Sequence, residues 1–190
     1  LICVMITTKL TGEMLVLLFL MSLLTLFYCF PFNSVNKNLR KTPGLKIFVV
    51  ATVWSLLIVV FPIINFTEKL DVSFLIFFIQ VLVFVIATIF PFEIRDLNSD
   101  CKQLRTIPQI IGVKNTKVLG FCLLLIFMIL DYIQYLILNF ISFKSILINA
   151  GICLTTFTLI LKSKENQSIY FSSFWVESLP ILWLLLYIIL

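Results

Sequence analysis

Histidine is missing altogether from these 190 residues, glycine occurs five times, and charged residues make up only 12% of the chain. Each scarcity excludes a class of chemistry. Without histidine there is no histidine-ligated zinc or haem site, and no Ser-His or Cys-His nucleophilic unit. With so few glycines, none of the Gly-rich fingerprints that cradle nucleotide phosphates can be written. The five cysteines, Cys3, Cys29, Cys101, Cys122 and Cys153, contain no C-x-x-C pair. Most of them lie in apolar runs, where a free cysteine behaves as a small hydrophobe.

What is present is apolar. Hydrophobic residues account for 62% of the sequence and mean hydropathy is +1.17. A soluble domain carries about 25% charged and about 45–50% apolar residues. The composition therefore predicts an all-α, polytopic membrane helix bundle, with residues 1–190 forming one integral membrane domain. The 20 phenylalanines could line an aromatic tunnel for an isoprenoid tail, but lipid-facing filler is the commoner use and the favoured reading.

A helix needs about 20 mostly apolar residues to cross the hydrocarbon layer. That ruler yields about six transmembrane helices, at roughly 10–32, 45–64, 72–92, 118–140, 146–161 and 171–190, the fifth being short. Strands are excluded because none needs such length and open sheet edges are not tolerated in lipid. The loops alternate in charge. Lys37, Arg40 and Lys41 occupy the first, and Arg95, Lys102, Arg105, Lys114 and Lys117 the long 93–117 segment. Lys162 and Lys164 lie in the loop after the fifth span. The positive-inside rule places these three loops in the cytoplasm of a bacterial-type inner membrane. It also explains the net charge of +5 without a nucleic-acid partner. Six spans then leave both ends outside. With an apolar run opening almost at Leu1, the chain reads as a fragment that has lost its N-terminus and an odd number of spans.

The stretch Phe92–Gly112 breaks the apolar pattern. Glu93, Asp96 and Asp100 stand at offsets i, i+3 and i+7, interleaved with Arg95, Lys102 and Arg105. On a continuous helix these offsets stack all three carboxylates on one stripe, neighbours roughly 5–6 Å apart at Cβ. Hard oxygen ligands of this kind suit Mg²⁺, usually held by one or two carboxylates plus substrate phosphates. The interleaved bases could meet the same polyanion. The competing reading is a solvated, mixed-charge loop-helix whose charges pair with one another.

Asp131 stands out among the spans, accompanied by Tyr132, Gln134, Tyr135 and Asn139. A charge deep in the bilayer costs about 2.5–3.5 kcal/mol on insertion scales and usually faces the bundle interior or a cavity. Asp131 either lines a substrate chamber or makes a structural hydrogen bond to a neighbouring helix, and the sequence weighs both alike. Gln80 and Glu177 raise the same question.

The order Arg95-Asp96…Asp100…Arg105-Thr106-Ile107-Pro108…Gly112 resembles the second aspartate motif of the UbiA superfamily of intramembrane prenyltransferases. Glu93 stands where that family commonly has a further Asp. The upstream Tyr28-Cys29-Phe30-Pro31, Lys37, Leu39-Arg40, Pro43 and Leu45-Lys46, with Trp54 in the next span, is similar to the family's loop after its fourth helix. The resemblance covers roughly residues 20–120 and implies the last six helices of a nine-helix bundle around a central cavity. It further implies Mg²⁺, a prenyl diphosphate and a hydrophobic acceptor, with isoprenyl transfer as the reaction. Asp96 and Asp100, with Glu93 assisting, are then expected to hold the metal. Arg95, Lys102, Arg105, Arg40 and Lys37 are expected to bind the diphosphate, and Tyr28 to stabilise the allylic cation through its π face. The family's first motif, N-D-x-x-D-like, is not written in this sequence; Asn65…Glu68…Asp71 only echoes its spacing. Two other classes remain: a degenerate UbiA-like protein serving as lipid-binding or partner subunit, and a transporter with Asp131 and Glu177 in a relay. The transporter predicts internal repeats, and no convincing repeat is visible.

Overall fold

The computed structural model describes residues 11–29, 44–65, 71–100 and 104–190, and every element among them is helical. We number the α-helices in chain order: α1 (Gly12–Cys29), α2 (Leu45–Ser55), α3 (Phe61–Asn65), α4 (Val72–Arg95), α5 (Ile107–Leu136), α6 (Phe143–Lys162) and α7 (Leu179–Ile189). Five stretches are long and apolar enough to cross a membrane: Leu45–Ile64, Val72–Asn98, Ile107–Leu136, Phe143–Lys162 and Phe171–Ile189. The apolar part of α1, Gly12–Leu26, is shorter. The chain is a polytopic membrane helix bundle.

Local sequence explains the irregular turns. Between α2 and α3 the backbone widens into a π turn, Leu56–Val60, where the Phe61 N–H reaches back five residues to Leu56 O. Pro62 follows immediately, and a residue with no N–H cannot continue the ordinary ladder. Asp71 starts α4 by accepting a hydrogen bond from Val72 N–H at 2.6 Å. At the head of α5 the Gln109 side chain accepts from Thr106 N–H at 3.1 Å, and Pro108 fills the first turn, where its missing N–H costs nothing. α6 begins at Ser142, whose hydroxyl accepts from Ser145 N–H at 3.2 Å.

α4 is the hub. Its residues Gln80, Phe84, Ala87, Pro91 and Ile94 recur at helical spacing and are all buried. Phe84 and Ala87 join Leu124 and Phe127 of α5 and Ile152, Cys153 and Ile160 of α6 in one apolar cluster. Ile86 and Phe90 on a neighbouring face pack on Ile47 and Ala51 of α2. Gly120 makes the α4–α5–α6 crossing close: a Cβ there would come within 3.1 Å of both Phe90 and Ile160. The outward faces, including Leu15 and Phe19 of α1, Ile129 of α5 and Leu184 and Ile188 of α7, remain exposed and apolar. In a bilayer these are the lipid-facing surfaces.

Besides the shorter α1, the described spans depart from the sequence expectation most at α5 and α6. α5 starts at Ile107, not near 118, because the Thr106–Pro108 cap opens a short entry helix ahead of the membrane run. Gly112, at φ 80° and ψ 160°, then bends that entry helix into the span. α6 is a full 20 residues, not a short span, because the Ser142 cap starts it at Phe143, three residues upstream of the expected start, and Lys162 extends it.

Candidate functional site

The charged segment folds at the same end of the bundle as the loop after α6. Asn98 Nδ2 donates to Glu165 Oε2 at 3.4 Å, Gln167 Nε2 to Pro91 O at 2.8 Å, and Lys117 Nζ to Leu161 O at 2.8 Å. The basic segments around Lys46, 93–117 and 162–170 therefore share one face of the molecule.

The helical stripe of three carboxylates is not formed. α4 ends at Arg95, and Asp96–Asn98 tightens into a 3₁₀ turn, so the helix that would carry Asp100 on the same stripe stops short of it. Asp96 is gripped by its neighbour: Arg95 Nε and Nη2 donate to its two oxygens at 2.6 and 3.1 Å. The third arm of Arg95, Nη1, donates to Ser172 Oγ at 2.7 Å, and the guanidinium lies 5.5 Å from the Phe92 ring centroid. Ser172 belongs to a π turn, Phe171–Val176, that leads into α7. This guanidinium therefore ties the end of α4 to the start of the last span.

Glu93 and Asp100 are brought together by α2. The Lys46 ammonium lies 2.8 Å from Glu93 Oε1 and 4.0 Å from Asp100 Oδ2. The first contact is an ion pair by distance without the alignment of a hydrogen bond, since Glu93 Oε1 has no hydrogen-bond partner among the described residues. Asp100 Oδ2 is buried and equally without a hydrogen-bond partner there, whereas the Thr106 hydroxyl faces the Gln109 N–H in the capping box of α5. Glu93, Asp100 and Thr106, with Lys46, Gly44 and Leu104, line a cavity of about 20 Å³, enough for a water-sized occupant. Glu93 is 1% exposed and Asp100 24% exposed. The cavity is thus open on the Asp100 side and closed behind Glu93. Gln109 holds that side in place by donating from Nε2 to Asp100 O at 3.3 Å.

The donor set, two carboxylates and a hydroxyl, fits a hard divalent cation that would complete its shell with phosphate oxygens. Asp96 does not join it: among the described residues no three His, Cys, Asp or Glu side chains are grouped to share a metal. Arg105 is exposed, with its backbone in the left-handed region at φ 44°. That conformation is uncommon outside glycine. Lys102, Arg40 and Lys37 lie outside the described residues, as does the side chain of Tyr28 at the end of α1. Lys46, Thr106 and Ser172 are members to which the sequence alone assigns no role. The K in Leu45-Lys46 was visible in the motif, whereas nothing in the sequence marks a serine 77 residues beyond Arg95.

A second polar group lies further along the bundle. Asp131 Oδ1 accepts from Gln80 Nε2 at 3.0 Å and Asn149 Nδ2 at 2.9 Å. Gln134 Nε2 donates to Gln80 Oε1, and Trp183 Nε1 to Asn149 Oδ1 at 3.0 Å. Asp131 therefore ties four spans together and does not border the Glu93 cavity. Glu177 is exposed and stands near Arg95, so no relay joins it to Asp131 among the described residues. The i, i+3 spacing of Asp131 and Gln134 was legible; Asn149 and Trp183 were not singled out because one amide or one indole in a span is unremarkable alone.

The chain matches no family model, no curated protein and no solved structure.

Proposed function

We propose that this membrane protein is a UbiA-like prenyltransferase, moving an isoprenyl group from a prenyl diphosphate to an aromatic or lipid acceptor. One observation carries the reading. Glu93, Asp100 and Thr106 line one cavity together with Lys46, whose ammonium lies beside both carboxylates, and these residues belong to the acidic stretch that carries R-D-x-x-x-D…R-T-x-P and to its upstream partner.

Glu93 and Asp100 would hold Mg²⁺, which when bound offsets the charge that develops on a departing diphosphate. Lys46 adds a point charge at the same mouth, suited to a phosphate oxygen. Arg95 works at one remove, since its donors are committed to Asp96 and Ser172. It orients the segment that carries Asp100. The apolar spans keep water from the allylic cation, and the resemblance assigns Tyr28 to its stabilisation. The positive-inside rule puts this end of the bundle in the cytoplasm, where soluble diphosphates are met.

The test is Mg²⁺-dependent binding of a prenyl thiolodiphosphate to the chain in nanodiscs, followed by titration calorimetry. Glu93→Gln and Asp100→Asn should each weaken binding at least tenfold, about 1.4 kcal/mol. Unchanged binding in both variants rules the reading out. A second reading is a lipid-binding protein of the same build that has given up catalysis. The pairing of Lys46 with Glu93 and Asp100, and of Arg95 with Asp96, favours it. It predicts diphosphate binding that ignores Mg²⁺ and weakens in Lys46→Met.

A further inference from the structure

The hydrogen bonds around Asp131 run in one direction. Trp183 donates to Asn149, Asn149 and Gln80 donate to Asp131 Oδ1, and Gln134 donates to Gln80. Tryptophan N–H can only donate, so the Asn149 amide is oriented by Trp183 and presents its NH₂ to Asp131. Each of the three amide groups makes one donation inside the cluster, and none of these reaches the second carboxylate oxygen. Two acceptors are left over: Asp131 Oδ2 and Gln134 Oε1 are buried and without a hydrogen-bond partner among the described residues. Their side chains are 1% and 0% exposed. They stand three residues apart on α5, on one helical face, and both are hydrogen-bonded to the same Gln80 side chain.

Among the described residues no Lys or Arg makes an ion pair with Asp131. Cys153 is its buried electrostatic neighbour on α6; α4 offers Gln80 and α7 offers Trp183, neither charged. Tyr132 is exposed on its own helix, and Tyr135 packs against Phe143. A carboxylate enclosed by protein at membrane depth is costly unless something neutralises it. Two lone-pair oxygens with nothing to accept from mark where that positive group belongs.

We propose that Asp131 and Gln134, held by Gln80 and Asn149, form a buried site for a single monovalent cation, a proton or a sodium ion. A proton on Asp131 Oδ2 would turn that orphaned acceptor into a donor, with Gln134 Oε1 on the same helical face as an acceptor for it. Sodium would be ligated by the same two oxygens. The site is separate from the Glu93 cavity: Gln80 precedes Glu93 by thirteen residues on α4, about 20 Å along the axis. Its occupancy sets how firmly four spans are latched together, and it stands whether or not the prenyl-transfer reading does.

The test uses the full chain in nanodiscs with carbon-13-labelled aspartate, read by infrared difference spectroscopy. The other aspartates, Asp71, Asp96 and Asp100, lie at helix ends. A protonated-carboxyl band at neutral pH that disappears in Asp131→Asn identifies the proton. An ionised band that shifts when N-methylglucamine chloride is replaced by sodium chloride, with a rise in Tm, identifies sodium. An ionised band indifferent to sodium overturns the proposal, since a counter-ion from the chain or an ordered water then suffices. If Asp131→Asn does not fold, Gln134→Leu replaces it and should shift the same labelled band.

Discussion

The Lys46 ammonium stands 2.8 Å from the Glu93 carboxylate, and the two are unequally buried: Glu93 is 1% exposed and Lys46 33%. Removing either partner therefore has different consequences. Lys46→Met strands an enclosed carboxylate and should destabilise the chain by about 3 kcal/mol. Glu93→Gln leaves an ammonium that can turn to water and should cost only about 1 kcal/mol. Denaturant titration of both variants in the same detergent measures the difference, and equal costs would contradict the burial asymmetry.

Gly112 carries the bend between the entry helix and the α5 span. Its φ of 80° and ψ of 160° fall in a region essentially reserved for glycine. Open space surrounds it, so steric crowding is not the issue. Gly112→Ala should cost about 1–3 kcal/mol through backbone strain alone. Gly151, inside α6 and also free of neighbours, is the control: Gly151→Ala should stabilise by about 0.5–1 kcal/mol. A matched pair of thermal melts checks both signs.

Arg95 joins Asp96 and Ser172 with three donors. A lysine cannot reproduce a planar fork. Arg95→Lys should keep the charge yet release the Phe171–Val176 turn, seen as faster amide exchange at residues 171–176 with α6 unchanged. Uniform exchange across both segments would show that Arg95 does not act as this tether.

Trp183 supplies the donor that orients the Asn149 amide. Trp183→Phe keeps the ring against Phe84 and Phe127 but leaves Asn149 Oδ1 unpaired. The expected loss is about 0.6–1.7 kcal/mol, the range of hydrogen bonds between membrane helices. Asn149→Leu combined with Trp183→Phe should lose less than the two single changes added together, as a double-mutant cycle would report.

Long apolar runs were sufficient to place the spans at 45–64 and 72–92, because in lipid only a helix satisfies its own backbone. They misplaced the head of α5, since a cap and a glycine bend obey local chemistry that hydropathy does not register. The acidic stripe was legible as residue order but not as geometry. The helix stops before Asp100, the Asp96 carboxylate is taken by Arg95, and it is Lys46 that lies between Glu93 and Asp100.

Composition and periodicity by themselves determined that this chain is a polytopic helical membrane protein with one charged segment and one buried acid. Both follow from transfer free energies that act residue by residue. The tertiary structure alone decided which acids meet. Lys46 is 47 residues from Glu93 in sequence, and Gln80 is 51 from Asp131. Contacts of that kind come from how α2, α4, α5, α6 and α7 cross, and crossing is fixed by side-chain packing such as the close approach at Gly120, which a linear pattern does not encode.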